Sequence, residues 1–394
     1  MNSTATDTAT NPSRATLLPG SPHFIVTEEP VYQPSGAGEH LFVEIEKENL
    51  TTDQVADALA KVCGRKSRDV GYAGRKDRHA ITRQWFSIHF GDAAGLEHLA
   101  EQLPLGRMQV HTVSRHSNKL RLGHLLGNTF AVAIAHAPAD LNERLAQLAH
   151  QGIRNAYGQQ RFGIAGANLI VAQAWGSGDI NTAIARLIDP LGHWKWGDEL
   201  PSGFRHGPEG QVLGALRRNA EPAKALHAGG DQLRKFIASA AQSAIFNAVL
   251  TAREAAGLLH TFRVGDVGCT AFGAPFLLTE DALTETNKRA APGVFDAFTS
   301  GPMPGSQRPN PDPAIETEER AWSAATNMDW SWFMPEGVFA SPGERRPLIV
   351  PFRAAPTLRV DSEKTWLSFS LPAGAYATMV LEQLGINIPD DRRG

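Results

Sequence analysis

The sequence predicts an α+β chain, with α/β as the alternative. One mixed domain is built from both ends and interrupted by a mainly helical domain. Three observations carry this. Residues up to about 155 alternate strand and helix patterns, residues from about Ala156 to Glu336 are mainly helical with long irregular connections, and strand character returns after about Pro347. A length of 394 residues fits two domains or one domain with a large insertion. The expected boundaries are a disordered tail over 1–19, a mixed domain from 20–155 with 347–394, and an insertion over 156–346.

The elements follow in order. His40–Glu46 alternates apolar and polar residues like a half-buried strand. Thr51 and Gln54 stand at capping-box spacing, Val55, Leu59 and Val62 form one stripe, and Gly64 can end the helix. Trp85–Phe90 has the period of a strand. A helix over Ala93–Gln102 and a strand over Met108–Ser114 follow. Phe130, Val132 and Ile134 mark the next strand, and Leu141, Leu145 and Leu148 the next helix. In the middle, Ala238–Glu254 is the clearest helix. Residues 291–313 hold six Pro and three Gly and read as loop. Trp366–Leu371 reads as strand, and a helix from about Ala375 to Leu384 closes the pattern. Trp175–Gly230 looks like an added excursion.

Composition narrows the function. Hydrophobic residues make up 42% of the chain, enough for a core. Cys63 and Cys269 show no metal spacing and no disulfide framework, which fits a reducing compartment. No apolar run approaches a membrane span, and the first residues lack a secretory apolar centre. The expected address is the cytoplasm. The net charge of −3 hides an asymmetry: residues 61–123 carry twelve Lys or Arg against five Asp or Glu. A basic segment in an otherwise acidic chain suggests a face for a polyanion. There is no Cys-x-x-Cys, no His-Glu-x-x-His and no phosphate-cradling Gly-rich Lys motif, and the 14 His are dispersed.

The chemistry concentrates in Gly71-Tyr72-Ala73-Gly74-Arg75-Lys76-Asp77-Arg78-His79-Ala80-Ile81-Thr82-Arg83-Gln84-Trp85. Asp77 stands between Lys76 and Arg78, with Arg75 and Arg83 close in sequence. A carboxylate among cations stays ionised, and the same cations can hold an RNA backbone. Gly71 and Gly74 permit a tight path. A charge run of this kind is usually a solvated turn. Here it leads directly into a core strand, a common setting for catalytic groups.

This segment closely resembles the signature of the TruD family of tRNA pseudouridine synthases, Ala-Gly-x-Lys-Asp-(Lys/Arg)-x-Ala-x-Thr-x-Gln-(Trp/Phe). Three further blocks resemble that family in its order: Arg115–Phe130, Asn155–Gly163 and Phe369–Thr378. The resemblance implies a pseudouridine synthase core with a mixed or antiparallel sheet, the family's inserted domain, and isomerisation of a uridine, U13 of tRNA. It implies tRNA as partner. The reaction conserves all atoms and requires neither redox cofactor nor metal. A monomer is expected.

By resemblance Asp77 is the catalytic carboxylate. It either adds to the sugar carbon, as carboxylates do in retaining glycosidases, or removes a sugar proton to give a glycal. The target base must leave its stack, which costs a few kcal/mol, roughly, and aromatic stacking recovers part of this. Phe130 suits that role, with a core residue as the alternative. Asn128 can bond the uracil edge or the ribose, or serve the turn after Gly127. Phe24, expected before the first strand, and Phe369 occupy pocket-wall positions, with core packing as the competitor. Arg115, Lys119 and Arg121 would share one face of an extended segment, a spacing that suits phosphates. Arg78 flanks the Asp with Arg75 close by, and Lys76, its other neighbour, binds phosphate or positions the carboxylate. Arg161 contacts RNA or pins the domain junction. The rival readings are a synthase acting on other RNAs, a non-catalytic RNA-binding protein, and a glycoside hydrolase, for which a second catalytic carboxylate is missing.

Overall fold

The computed structural model describes residues 15–103, 106–203, 207–361 and 364–389. These form two compact units: residues 15–150 with 351–389, and residues 151–350.

The first unit is built on a nine-stranded mixed sheet. Its strands are β1 (Thr16–Leu17), β2 (Phe24–Pro30), β3 (His40–Glu48), β4 (Val70–Tyr72), β5 (Ile81–His89), β6 (Arg107–His116), β7 (Leu125–Ala135) and the returning Ala354–Asp361 and Lys364–Pro372. The order runs Ala354–Asp361, Lys364–Pro372, β7, β2, β5, β3, β6, with β1 on β7 and β4 on β5. Among the described strands β2 and β5 pair in parallel and the other strand pairs of this sheet are antiparallel. One isolated parallel bridge joins Thr16 to Asn387. Helix α1 (Thr52–Val62) starts at the expected capping box, with Thr51 and Gln54 exchanging bonds. Its stripe of Val55 and Leu59 packs with Leu41, Val43, Ile45, Phe86 and Ile88. Each such fully buried side chain contributes about 1.5–3 kcal/mol.

Several expectations change here. The tail expected over 1–19 lies outside the described residues up to 14, but Thr16–Leu17 form a strand against Ile134 and Ala135, with Leu17 1% exposed. Phe24 lies within β2, which alternation alone did not mark because Thr27, Glu28 and Glu29 form an unbroken polar run. Residues 93–102 form 3₁₀ turns instead of an α-helix. Phe90 leaves the strand pattern: it is 53% exposed with φ of 47°.

The second unit is mainly helical but holds a four-stranded sheet of Pro275–Leu277, Val267–Thr270, Ala297–Met303 and Glu344–Pro347, in that order. Ala297–Met303 falls in the expected 291–313 loop and is buried throughout. It tolerates Pro302 because its neighbours split its length: Val267–Thr270 pairs only with residues 297–299, and Glu344–Pro347 only with 300–303. At Pro302 one edge is unpaired, so the missing N–H costs no ladder bond. The Trp175–Gly230 stretch is no appendage. Trp175, Ile184, Leu213 and Leu226 sit in one buried cluster with Ile237, Trp330 and Phe339.

Candidate active site

Asp77 lies in the loop between β4 and β5, where β5 changes neighbours. β4 pairs with β5 at Phe86–Ile88, and β2 pairs with it at Ile81–Arg83. The loop fills the gap between them. Gly71 is required there for space and not for an unusual φ: a Cβ would lie 2.2 Å from the Leu120 carbonyl oxygen. Gly74 has room for one, its nearest neighbour being Lys76 Nζ at 3.4 Å.

Three buried polar side chains hold the loop backbone. Gln84, fully buried on β5, donates from Nε2 to Gly74 O at 3.1 Å. Thr52 Oγ1 donates to Gln84 Oε1 at 3.0 Å and accepts from Lys76 N at 2.9 Å. Lys47 Nζ donates to Leu50 O at 2.6 Å and to Asp77 O at 3.1 Å. Burial lowers the Lys47 ammonium to about 8, with Asp77 opposing that shift and Lys76 adding to it. The Asp77 carboxylate is exposed, and its Oδ1 accepts from His79 N at 2.8 Å. The second motif block packs alongside: Gly123 N donates to Ala73 O at 2.8 Å, and Leu120 N to Ser87 Oγ at 2.9 Å.

The cations around Asp77 are mostly engaged. Lys76 is not a surface phosphate ligand: its side chain is 5% exposed and its ammonium lies 2.8 Å from Glu28 Oε2, itself 1% exposed. A buried ammonium needs such a partner. Arg75 pairs with Asp53 at 3.3 Å, while Arg83 forks onto Glu44 at 2.9 and 2.8 Å. Arg78 remains exposed, with Nε donating to Asn49 O at 3.3 Å.

Strand register brings further candidates to one face. Glu28 stands opposite Asn128, Val26 opposite Phe130, and Phe130 opposite Phe369. Residues two apart on a strand share a face, so Phe24, Glu28, Asn128, Phe130 and Phe369 lie together. Phe130 stacks on Phe369 with centroids 5.3 Å apart and meets Phe24 edge-on at 6.3 Å. All three rings are buried, so here they pack on one another. Asn128 Oδ1 is buried with no hydrogen-bond partner among the described residues. An orphaned buried acceptor is costly and calls for an explanation.

On the opposite face Glu29 ties three strands. Its carboxylate accepts from Thr129 Oγ1 at 2.7 Å, Ser370 Oγ and Arg353 Nε at 2.9 Å. Partial burial pushes the Glu29 carboxyl up, but these hydrogen bonds outweigh it and hold the group below the usual range. Sequence reading missed Lys47, Glu28, Glu29 and Thr52. The signal available was a charged residue at an inward position of a strand, as at Lys47.

Other candidates lie apart. β6 ends at His116, and residues 117–124 turn, so Arg115, Lys119 and Arg121 do not share one extended face. Arg115 donates to Gly91 O and Lys119 to Arg68 O, while Arg121 is exposed. Arg161 bonds Ser243 and Ser239 of the Gly230–Ala255 helix within the second unit. The dispersed histidines converge in one place: His40 stands opposite both His89 and His116, with Glu39 3.6 Å from His89. Glu39, His40 and His89 could ligate a cation, but Arg65, Arg115 and Lys119 bond backbone carbonyls nearby and disfavour one.

A loop-borne carboxylate, a buried amide oxygen without a hydrogen-bond partner among the described residues and an aromatic cluster thus lie on one mixed sheet. The family model described as tRNA pseudouridine synthase D (TruD) matches residues 8–193 and 194–384. Curated proteins named tRNA pseudouridine synthase D are similar over most of their length. The one from Geotalea daltonii is 36% identical, covering 92% of this chain and 94% of that one. The one from Geobacter metallireducens is 33% identical, covering 92% of each. A crystal structure from Methanosarcina mazei assigned to tRNA pseudouridine synthase D superimposes with a TM-score of 0.71 at 23% identity, covering 96% of this chain and 95% of that one. The chain belongs to the TruD family of pseudouridine synthases, a class of isomerase.

Proposed function

We propose that the chain converts a uridine of transfer RNA to pseudouridine, at position 13 in the dihydrouridine arm, with Asp77 as the catalytic carboxylate. The observation that carries this is the exposed Asp77 side chain on a backbone fixed by Lys47, Thr52 and Gln84. Fixed placement of a reacting group is a large part of catalysis. The curated relatives' names supply the RNA class.

In this reading the N1–C1′ bond breaks, the base turns, C5 bonds to C1′, C5 loses its proton to solvent and N1 gains one, so the atoms balance. Asp77 acts at the sugar, either by adding to C1′ or by taking a sugar proton. Asn128 offers its unpartnered Oδ1 to the uracil N3–H. Phe130 and Phe369 bound the base pocket once the nucleotide is turned out, and Phe24 supports them. Exposed Arg78 and Arg121, with Arg75, Arg115 and Lys119, track phosphates. The chain acts as a monomer in the cytoplasm without a cofactor; sedimentation of the free protein checks the first.

The test is hydrogen release from unmodified tRNA tritiated at uridine C5. Wild type should release label, and Asp77→Asn should lose about 10⁴-fold in rate while keeping fold and tRNA affinity. Label release by Asp77→Asn at the wild-type rate would make Asp77 structural. Binding without release by wild type would favour another RNA target or a non-catalytic role. Mapping of the modified position decides whether it is 13.

A further inference from the structure

Lys47 sits on β3 with 1% exposure, its ammonium divided between the carbonyls of Leu50 and Asp77. Burying a charge is costly, and an apolar residue would fill this place without that cost. We propose that Lys47 is a positioning residue for the reaction: its ammonium fixes the Asp77 peptide and sets a buried positive charge against that residue's main chain. This rests on Asp77 being the catalytic carboxylate.

The charges nearby make Lys47 the matching cation. Two ammonium groups stand near two carboxylates: Lys76 contacts the Glu28 carboxylate, whereas Lys47 contacts the Asp77 main chain and feels its carboxylate only through the field. Glu28 takes Lys76 at 2.8 Å. Arg78 bonds Asn49 O on the turn after β3 and stays at the surface, while His79 gives its backbone N–H to Asp77 Oδ1. Lys47 is left as the buried counter-charge, and Asp77 in turn favours its protonated form. Two carbonyls could be held by any neutral donor. What the ammonium adds is charge, in a place water does not screen. A neutral amine at position 47 would still donate hydrogen bonds but would leave Asp77 without its counter-charge.

The experiment compares single-turnover rates against pH for wild type, Lys47→Met, Lys47→Arg and Asp77→Asn, with tRNA affinity measured in parallel. The wild-type rate should fall above about pH 8, where burial has placed the Lys47 titration. Lys47→Met should lose about 100-fold in rate, the scale of a misplaced reacting group. Its tRNA affinity should stay unchanged, and its residual rate should show no fall at that pH. Lys47→Arg stays charged and should carry the fall to higher pH. A wild-type rate in Lys47→Met, or a wild-type pH limb in it, overturns the proposal. Where circular dichroism shows Lys47→Met unfolded, the Lys47→Arg limb decides, and an unmoved limb overturns it. Turnover by Asp77→Asn would instead overturn the reading of Asp77. An inert Asp77→Asn beside an unaltered Lys47→Met removes only the role of Lys47.

Discussion

At the scale of single residues, we expect Lys47 to make stability and activity respond to pH in opposite directions. Its folded value of about 8 lies below the ordinary 10.5. Between those values the unfolded chain binds a proton that the folded chain has released, so stability rises with pH. Below about pH 8 both states are protonated and the contribution is flat. The gain across the window is about 3 kcal/mol. We expect the difference in unfolding free energy between wild type and Lys47→Met to grow from pH 8 upward in urea titrations, as the reaction rate falls. A pH-independent difference across that window would mean that the buried amine keeps its ordinary value of 10.5 and stays protonated. Asp77 presents the contrasting case of a group held by its backbone and left open at its side chain.

At the scale of elements, the Asp77 loop depends on contacts from β3, α1 and β5. Gln84 joins two of them, bonding Gly74 O and Thr52 Oγ1 from a fully buried position. Gln84→Leu keeps the volume but strands the Gly74 carbonyl. The cost should be about 1–3 kcal/mol, measured by urea unfolding. Because the loop then loses its anchor ahead of Lys76, the tritium-release rate should fall further than stability explains, with tRNA affinity intact. An unchanged rate would show that Thr52 and Lys47 hold the loop without it. The three-strand tie at Glu29 follows the same logic: Thr129 and Ser370, each from a different motif block, meet on one carboxylate.

At the scale of the whole molecule, the formal net charge of −3 is small, yet residues 61–123 are basic. Two of those cations are tied within the fold: Lys76 to Glu28 and Arg83 to Glu44. The electrostatic footprint on RNA is therefore smaller than the sequence count. Affinity for tRNA should fall with added salt, by roughly 0.7–0.9 log units per log unit of salt for each phosphate contact. Exposed Arg121→Ala should reduce that slope by about one, measured by filter binding across a salt series. A slope unaffected by this change would remove Arg121 from the phosphate path.

The sequence alone determined the strand and helix periods, the capping box at Thr51, and the cluster of motif residues around Asp77. These are local: a period, a cap or a charged run is written in neighbouring positions. It left β2 unmarked and read Ala297–Met303 as loop, because a strand's tolerance of Glu28 or Pro302 depends on what lies beside it. Only the tertiary structure decided which cation serves which carboxylate. Lys76 precedes Asp77 in the chain but pairs with Glu28, while Lys47, on another strand, reaches the Asp77 peptide. The physical reason is burial. Removed from water, each charge and each polar group takes the nearest partner in space, and distance along the chain does not fix that partner.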